Sequence, residues 1–564
     1  EVKGTELAGL SYVPLFPYFK DQTKAFKVLL ADYVTTSDGT GIVHQAPAYG
    51  EDDFYTCKKA NISIVDPIDE QGVFTNKIEE LSGNYFKDAD KLICKMLKQK
   101  GLLIKHETIV HSYPFDERTD TPLMFKAVPS WYVAVEKIIS KLVANNQKIN
   151  WIPGHLKDGR MGSWLRGARD WAISRNRFWG TPLPVWICKS NAKHMKVIAS
   201  IAELKEACGK DIVDIHSHFL KEIDISCPEC TGKMKIVDVV FDCWFESGSM
   251  PYAQLHYPFE NKKTLEQTFP ADFIAEGLDQ TRGWFYTLTV LATALFDKPA
   301  FKNVIVNGVI LDERGKKMSK RHRNYTAPSE LIKKFGADSI RLYMLNSPLL
   351  KADDLIFLDK GVKDTTRQVL IPLWNAYSFL STYAVADNWQ PDTDLLEGKV
   401  PNASHDFDLW IISRLQSLVK DVATHMKEYK LYLVVSRVLN FIEDLTNWYI
   451  RLNRRRFWGA GEELTKDQSD AYRSLFYVLS EFTKILAPYA PFISDKIYKN
   501  LFSEEKNISV HLCDMPELNE EFVNLELEKR MDLLRIAINQ GRSLRQKHKI
   551  KIRQALLSMT IVVA

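Results

Sequence analysis

The sequence has no apolar run of membrane-spanning length. Its longest nearly apolar stretch, Trp284 to Phe296, carries several threonines, and a span needs about 20 apolar residues, so no membrane partner is expected. It also lacks an excess of one charge. Lys and Arg number 75 against 71 Asp and Glu, a formal net charge of +4, so any nucleic acid must be met by local patches. Cysteine is sparse, with 8 scattered among 564 residues. That excludes a disulfide scaffold and fits a reducing compartment. There is no internal repeat and no low-complexity tract. With 45% hydrophobic and 26% charged residues, wholesale disorder is excluded too. No signal or transit peptide opens the chain. Nor does a methionine: it starts Glu1-Val2-Lys3-Gly4, as if in mid-domain.

The length fits about three to five domains. Residues 1–150 mix short β-rich runs, such as Phe26 to Val34 and Ile42-Val43-His44, with Gly and Pro turns, and predict an α+β domain of many short strands. Residues 151–350 read differently. Ala271 to Glu276 predicts a buried strand broken by Gly277. A helix follows, with Leu288, Leu291, Ala292 and Leu295 on one face. Asn303 to Ile310 predicts a second strand. Strand, helix and strand at this spacing make a βαβ unit with parallel strands. From 351 to 515 the pattern is helical. Leu370, Leu373, Trp374 and Tyr377 form one stripe; Val434, Val438, Phe441, Leu445 and Trp448 form another. An all-α bundle is expected. Residues 516–564 begin with a charged helix, Glu526 to Leu534. A basic stretch, Arg542 to Arg553, follows, and then an apolar run, Met559 to Ala564, that reads as a strand without its partners.

The segment with the clearest chemistry is Gly315-Lys316-Lys317-Met318-Ser319-Lys320-Arg321. A turn opened by Gly315 offers Lys317 and Lys320 beside the Ser319 hydroxyl. Compact ammonium groups on a mobile turn suit the β- and γ-phosphates of a nucleotide, and their hold strengthens as charge moves onto departing pyrophosphate. Ligands of open parallel sheets sit at the carboxyl ends of strands. Residues 276–280 and 312–321 both follow such ends, so they are expected to meet over one pocket.

Lys317-Met318-Ser319-Lys320 resembles the lysine signature of class I aminoacyl-tRNA synthetases. Phe241 to Ser249 resembles that family's Trp-Phe-acid-Ser-Gly segment, and Ala275 to Phe285 its adenylate-binding strand end. Ala168 to Arg175 with Trp179 to Pro182 resembles the return into the catalytic fold. Gly39 to His44, Ala46-Pro47 and Gly50 to Asp53 resemble the editing insertion. The likeness runs from end to end and is nearest the family's isoleucine-specific branch, of the eukaryotic cytosolic type.

The resemblance implies an α/β and all-α multidomain protein. Residues 1–150 would be the later part of an editing insertion. Residues 151–350 would be the second half of a Rossmann-like catalytic domain, with a small insertion at about 186–240. Residues 351–515 would bind the anticodon, and 516–564 would begin a tRNA-binding region. It implies ATP-dependent formation of isoleucyl-adenylate, transfer to tRNA(Ile) and hydrolytic editing of mischarged valine, in the cytoplasm. ATP, isoleucine and tRNA(Ile) would be the partners and Mg²⁺ the cofactor; membership of a multi-synthetase assembly stays open. Lys317, Ser319 and Lys320 would be catalytic. Glu276, Gly277, Asp279, Gln280, Lys317, Met318 and Lys320 would hold ATP and adenylate. Trp244 and Trp284 would wall the isoleucine side chain, and His44 and Asp53 would edit. Trp448, Arg451, Arg454, Arg455 and Arg456 would touch tRNA.

Cys227 and Cys230 look like half a zinc knuckle, and tetrahedral zinc needs two more ligands. Cys188 has no second cysteine after it; His194 or Cys208 could complete the set at poor spacing, and otherwise the pair is a relic. The family's His-x-Gly-His motif is absent, since neither Gly154-His155 nor His216-Ser217-His218 fits it. It would lie upstream of Glu1, making this chain a fragment that is weak or inactive alone. Two alternatives stand beside this reading: a valine-specific member of the family, and a non-catalytic tRNA-binding relic.

Overall fold

The computed structural model describes residues 2–22, 24–36, 40–108, 110–116, 119–319, 323–458, 463–502 and 509–562. They form two compact units, Glu1–Trp131 and Tyr132–Ala564.

In the first unit, helix α1 (Glu51–Lys59) opens with three acids and closes with two lysines, complementing the helix dipole at both ends. Helix α2 (Phe86–Gln99) buries Ala89 and packs Ile93 and Met96 against Ile78 and Leu81. The expected short strands do not form ladders among the described residues. Pairing is limited to single bridges such as Ser11 with Lys27 and Ile68 with Phe74. Val13, Leu30 and Ile42 stay exposed, because an extended segment with one bridge has no neighbour to cover its apolar face.

The second unit starts earlier than the expected boundary at 150. Helix α3 (Ile139–Gln147) leads into strand β1 (Asn150–Ile152). Leu142 and Ile149 are buried with Trp151, Phe285 and Phe301, which ties 132–150 to the sheet that follows. A small antiparallel sheet comes next: β2 (Val185–Cys188), β3 (Met195–Val197), β4 (Ile225–Ser226) and β5 (Lys233–Ile236), in the order β3-β2-β5-β4.

Helix α4 (Cys243–Ala253), strand β6 (Ala271–Gly277), helix α5 (Trp284–Phe296) and strand β7 (Phe301–Asn307) then build the α/β core. Strands β6 and β7 are parallel, as the βαβ reading requires, and β1 joins the far side of β7, also parallel. Phe285, Leu288, Val290 and Ala292 of α5 are buried on this sheet, each large side chain contributing about 1.5–3 kcal/mol. The chain continues through β8 (Ile310–Leu311), which pairs in parallel with β9 (Leu355–Ile356).

The helical part comprises α6 (Ile371–Ala386), α7 (Asp406–Lys427), α8 (Leu431–Glu443), α9 (Lys466–Leu486), α10 (Pro491–Leu501) and α11 (Leu525–Lys547). The stripe Val434, Val438, Phe441, Leu445 and Trp448 is buried in the bundle core, as its spacing predicts. One expectation fails here. Helix α6 is the end of a 28-residue helical run, Asp359–Ala386, long and apolar enough by length and composition to cross a membrane. Within that run Val369, Leu373, Ala376, Leu380 and Ala384 are buried in the bundle core, while Ile371, Trp374 and Val385 are exposed. The terminal run 559–562 is exposed and unpaired.

Candidate functional site

Gly277 stands opposite Asn307, and Glu276 opposite Val306, at the carboxyl ends of β6 and β7. Glu276 and Asp279 are exposed there. Gln280 caps α5: its Oε1 accepts from the Trp284 N–H at 2.8 Å, and its Nε2 donates to Asp279 at 3.2 Å. The Trp284 indole donates to the Ser247 carbonyl at 3.0 Å, fixing α5 to α4. Trp244 lies beside Gly283, where a Cβ would come within 3.1 Å of its ring. Both indoles therefore flank Gly283 at one end of the α4–α5 pair. Asp242 caps α4 and holds Arg175 at 2.7 Å.

The lysine loop follows β8. Gly315 has a φ of +72°, a backbone conformation that glycine adopts without strain. Asp312 is buried, and its Oδ1 accepts the N–H groups of Arg314 and Lys316 at 2.9 and 2.8 Å. Its carboxyl is held below the ordinary range by the Lys316 N–H first and by Asn324 next. Lys317, Met318 and Ser319 line a cavity of about 1050 Å³ with Tyr325, Phe357 and Asp359. Lys320 and Arg321 lie outside the described residues.

The single pocket expected over both loops is not what this cavity shows, because residues 276–280 do not line it. The strand ends do meet, but the chain turns away at Gly308. The Gly308 N–H donates to Leu349, and a Cβ there would run into the Asp353 carbonyl. Pairing of β8 with β9 then seats the loop on a second, smaller sheet.

In the first unit, His44 lines a cavity of about 770 Å³ with Gln45, Tyr49 and Cys57. Asp53 is engaged beside it: Oδ1 accepts from the Tyr33 hydroxyl at 2.8 Å and Oδ2 from the Ala46 N–H at 3.0 Å. Burial, with help from Asp53, raises the Tyr33 phenol.

Two of the residues expected to touch RNA are structural. Trp448 is 6% exposed in the bundle core, with the Arg535 guanidinium 5.1 Å from its ring. Arg456 grips the fully buried Asp408 with two bonds, 2.9 and 2.7 Å, and also binds Asp467. A buried carboxylate needs such a partner. Arg451, Arg454 and Arg455 are exposed.

The metal reading gains two ligands. Cys188, His194, Cys227 and Cys230 bring their ligand atoms within 4.8 Å of one another. Cys188 and Cys230 sulfurs are 3.5 Å apart, and Cys227 lies 3.5 Å from His194 Nδ1. Burial would raise the Cys188 thiol, but the N–H groups of Ser190 and Asn191 outweigh it, and the thiol is lowered to about 7. Three thiols and one imidazole are the donor set tetrahedral zinc takes. Cys208 is not part of it; its sulfur meets the carbonyls of Lys205 and Lys210. The signal in the sequence was partial: Cys188 and His194 flank the turn between β2 and β3, and only the β2–β5 pairing carries them to the Cys227–Cys230 turn.

Two family models and several curated relatives match the chain. A family model described as tRNA synthetases class I (I, L, M and V) matches residues 20–355, and one described as the anticodon-binding domain of tRNA ligase matches residues 408–561. The chain is 53% identical over 565 residues to an isoleucine–tRNA ligase of Protochlamydia amoebophila, covering 100% of this chain and 53% of that protein. It is 50% identical over 580 residues to an isoleucine–tRNA ligase of Treponema denticola, covering 99% of this chain and 52% of that one. The chain thus spans about half the length of the curated relatives it matches. These relatives are bacterial, so the expected eukaryotic cytosolic type finds no support in them. Among solved structures, Mycobacterium tuberculosis methionyl-tRNA synthetase bound by methionyl-adenylate matches with a TM-score of 0.48 and 19% identity, over 69% of this chain and 66% of that chain. With a family model spanning more than half of its residues, the chain belongs to the class I tRNA synthetases of the I, L, M and V group.

Proposed function

We propose that this chain supplies the second half of the catalytic fold, the later part of the editing insertion and the anticodon-binding bundle of an isoleucine–tRNA ligase. The parallel, in-register end of β6 and β7, with the lysine loop a few residues further on, is the observation that carries the reading. It places an acidic strand end beside the strand whose continuation, ten residues on from Asn307, carries the basic turn at Lys317, and an acidic edge with a basic turn suits a nucleotide.

In this reading Glu276, Asp279 and Gln280 take the amino acid's ammonium and the adenylate's hydroxyls, with Gly277 allowing close backbone approach. Lys317, Met318, Ser319 and Lys320 hold the phosphates, and the ammonium groups favour charge on departing pyrophosphate. Mg²⁺ travels with ATP, since it needs few protein ligands. Trp244 and Trp284 shield an aliphatic side chain from water. Such a pocket separates isoleucine from valine by only about 1–3 kcal/mol, so mischarged valine is hydrolysed at the cavity lined by His44. There Asp53 orients the ester's ammonium after exchanging a present partner for it. Arg451, Arg454 and Arg455 meet tRNA(Ile) at the bundle surface. Zinc in the Cys188, His194, Cys227 and Cys230 cluster holds the small antiparallel sheet together. The work is cytoplasmic.

The test is ATP–pyrophosphate exchange by the protein, with isoleucine and with valine. A preference of about 100-fold for isoleucine is expected. Preference for valine would favour the valine-specific alternative, and absence of exchange with retained, salt-sensitive tRNA binding would favour a non-catalytic relic.

A further inference from the structure

We propose that Asp312 and Asn324 form a brace that sets the path of residues 312–319 of the lysine loop, making both positioning residues for nucleotide chemistry; this rests on the function proposed above. The two residues stand at opposite ends of the loop, and Asn324 Nδ2 donates to Asp312 Oδ2 at 2.7 Å. Each also holds loop backbone. Asp312 Oδ1 gathers the N–H groups of Arg314 and Lys316, and its own N–H donates to the Lys316 carbonyl at 2.8 Å. Asn324 spans Met318: its Oδ1 accepts the Ser319 N–H at 3.0 Å, and its Nδ2 donates to the Lys317 carbonyl at 3.2 Å.

A carboxamide accepts through its oxygen on one side of Met318 and has two N–H groups, enough to reach both the Lys317 carbonyl and Asp312, whereas a hydroxyl has one proton to donate. An aspartate at 324 would lose both donations and face the Asp312 carboxylate. The contacts to Lys317 and Ser319 use backbone atoms, so they fix the path of the chain while the residues line the cavity. The far end is anchored in turn, since Thr326 Oγ1 donates to Asp359 Oδ2 at 2.9 Å. The brace therefore acts by placing Lys317, Met318 and Ser319 along the cavity that Asp312 and Asn324 also line, while the polar atoms of the two brace residues are engaged with each other and with loop backbone.

The experiment uses the intact protein with Asn324→Asp, Asn324→Ala and Asp312→Asn. It reads isoleucine-dependent pyrophosphate exchange, and hydrogen exchange across the peptide 312–326. The expected result is a kcat lower by about 10- to 100-fold, the scale of a misplaced positioning group. KM for isoleucine should stay within about twofold, and the peptide should exchange faster. Unchanged kcat, or lowered kcat with unchanged hydrogen exchange, overturns the proposal. If one variant unfolds early, the other two carry the test. If the wild-type protein gives no isoleucine-dependent exchange, the functional reading fails. Hydrogen exchange then still decides the brace: unaltered protection in the variants sinks it.

Discussion

Gly277 and Asn307 face each other at the matched ends of two parallel strands. This register makes the acidic strand end and the end of β7 neighbours, though they lie 30 positions apart in the chain, and the lysine loop follows after the turn at Gly308. Helix α5 enforces it by burying its apolar face on the sheet, and Gly248 lets α4 lie close against α5.

At Gly248 a Cβ would come within 3.0 Å of Leu291 and Thr287. Gly248→Ala is expected to destabilise the second unit by about 1–3 kcal/mol through overpacking. Urea denaturation followed by tryptophan fluorescence checks it; an unchanged midpoint would mean that α4 does not need the close approach.

Arg456 and Arg454 should separate cleanly. Arg456→Ala strands the buried Asp408 and should lower stability by about 3 kcal/mol or more. Arg454→Ala, at an exposed site, should leave the melting temperature unchanged and weaken tRNA binding. Calorimetry and filter binding on the two variants decide; equal melting temperatures would contradict the structural role given to Arg456.

Metal analysis of the purified protein should find about one zinc per chain. Chelation, or Cys227→Ser, should expose the small sheet of β2 to β5 to hydrogen exchange while leaving the bundle protected. A zinc-free protein with a fully protected small sheet would refute the cluster's role.

Asp66 sets an acid limit on the first unit. Burial, the largest influence, acts to raise its carboxyl. Bonds from the Tyr49 hydroxyl and the Ile68 N–H, at 2.7 and 3.1 Å, and the Lys126 ammonium at 3.0 Å together bring it below the ordinary 3.8. A lowered folded value means stability that is present above pH 3.8 and lost as pH falls through the folded value. Acid titration followed by circular dichroism should show a transition below pH 3.8 that Asp66→Asn reduces.

Much of this site is legible in the residues. The apolar run into Gly277, the 3.6-residue stripe of α5 and the Lys-rich turn each carry a local signal for β6, α5, β7 and the loop, but β6 is not the buried strand expected, since none of its residues is fully buried, and Leu295 of the α5 stripe is exposed. Strand β1 could not be placed: three residues, Asn150–Ile152, have too little pattern, and their pairing with β7 spans about 150 positions. Trp448 carried two signals at once, and the stripe that ends on it had already implied burial. Arg456 is not legible as a buried-pair residue, because its partner Asp408 lies 48 residues earlier and nothing local to a run of arginines tells which one turns inward. Nothing local marks Asn324, whose contacts are the Asp312 carboxylate 12 residues earlier and backbone groups of Lys317 and Ser319.

The most direct test of the account is a double-mutant cycle on pyrophosphate exchange in the intact protein, with Glu276→Gln, Lys317→Ala and both together. If the strand end and the lysine loop serve one nucleotide, each single variant should lower kcat/KM by about 100-fold, and the pair should depart from additivity by more than about 0.5 kcal/mol. Wild-type exchange by either single variant, or strict additivity of the two, would contradict it.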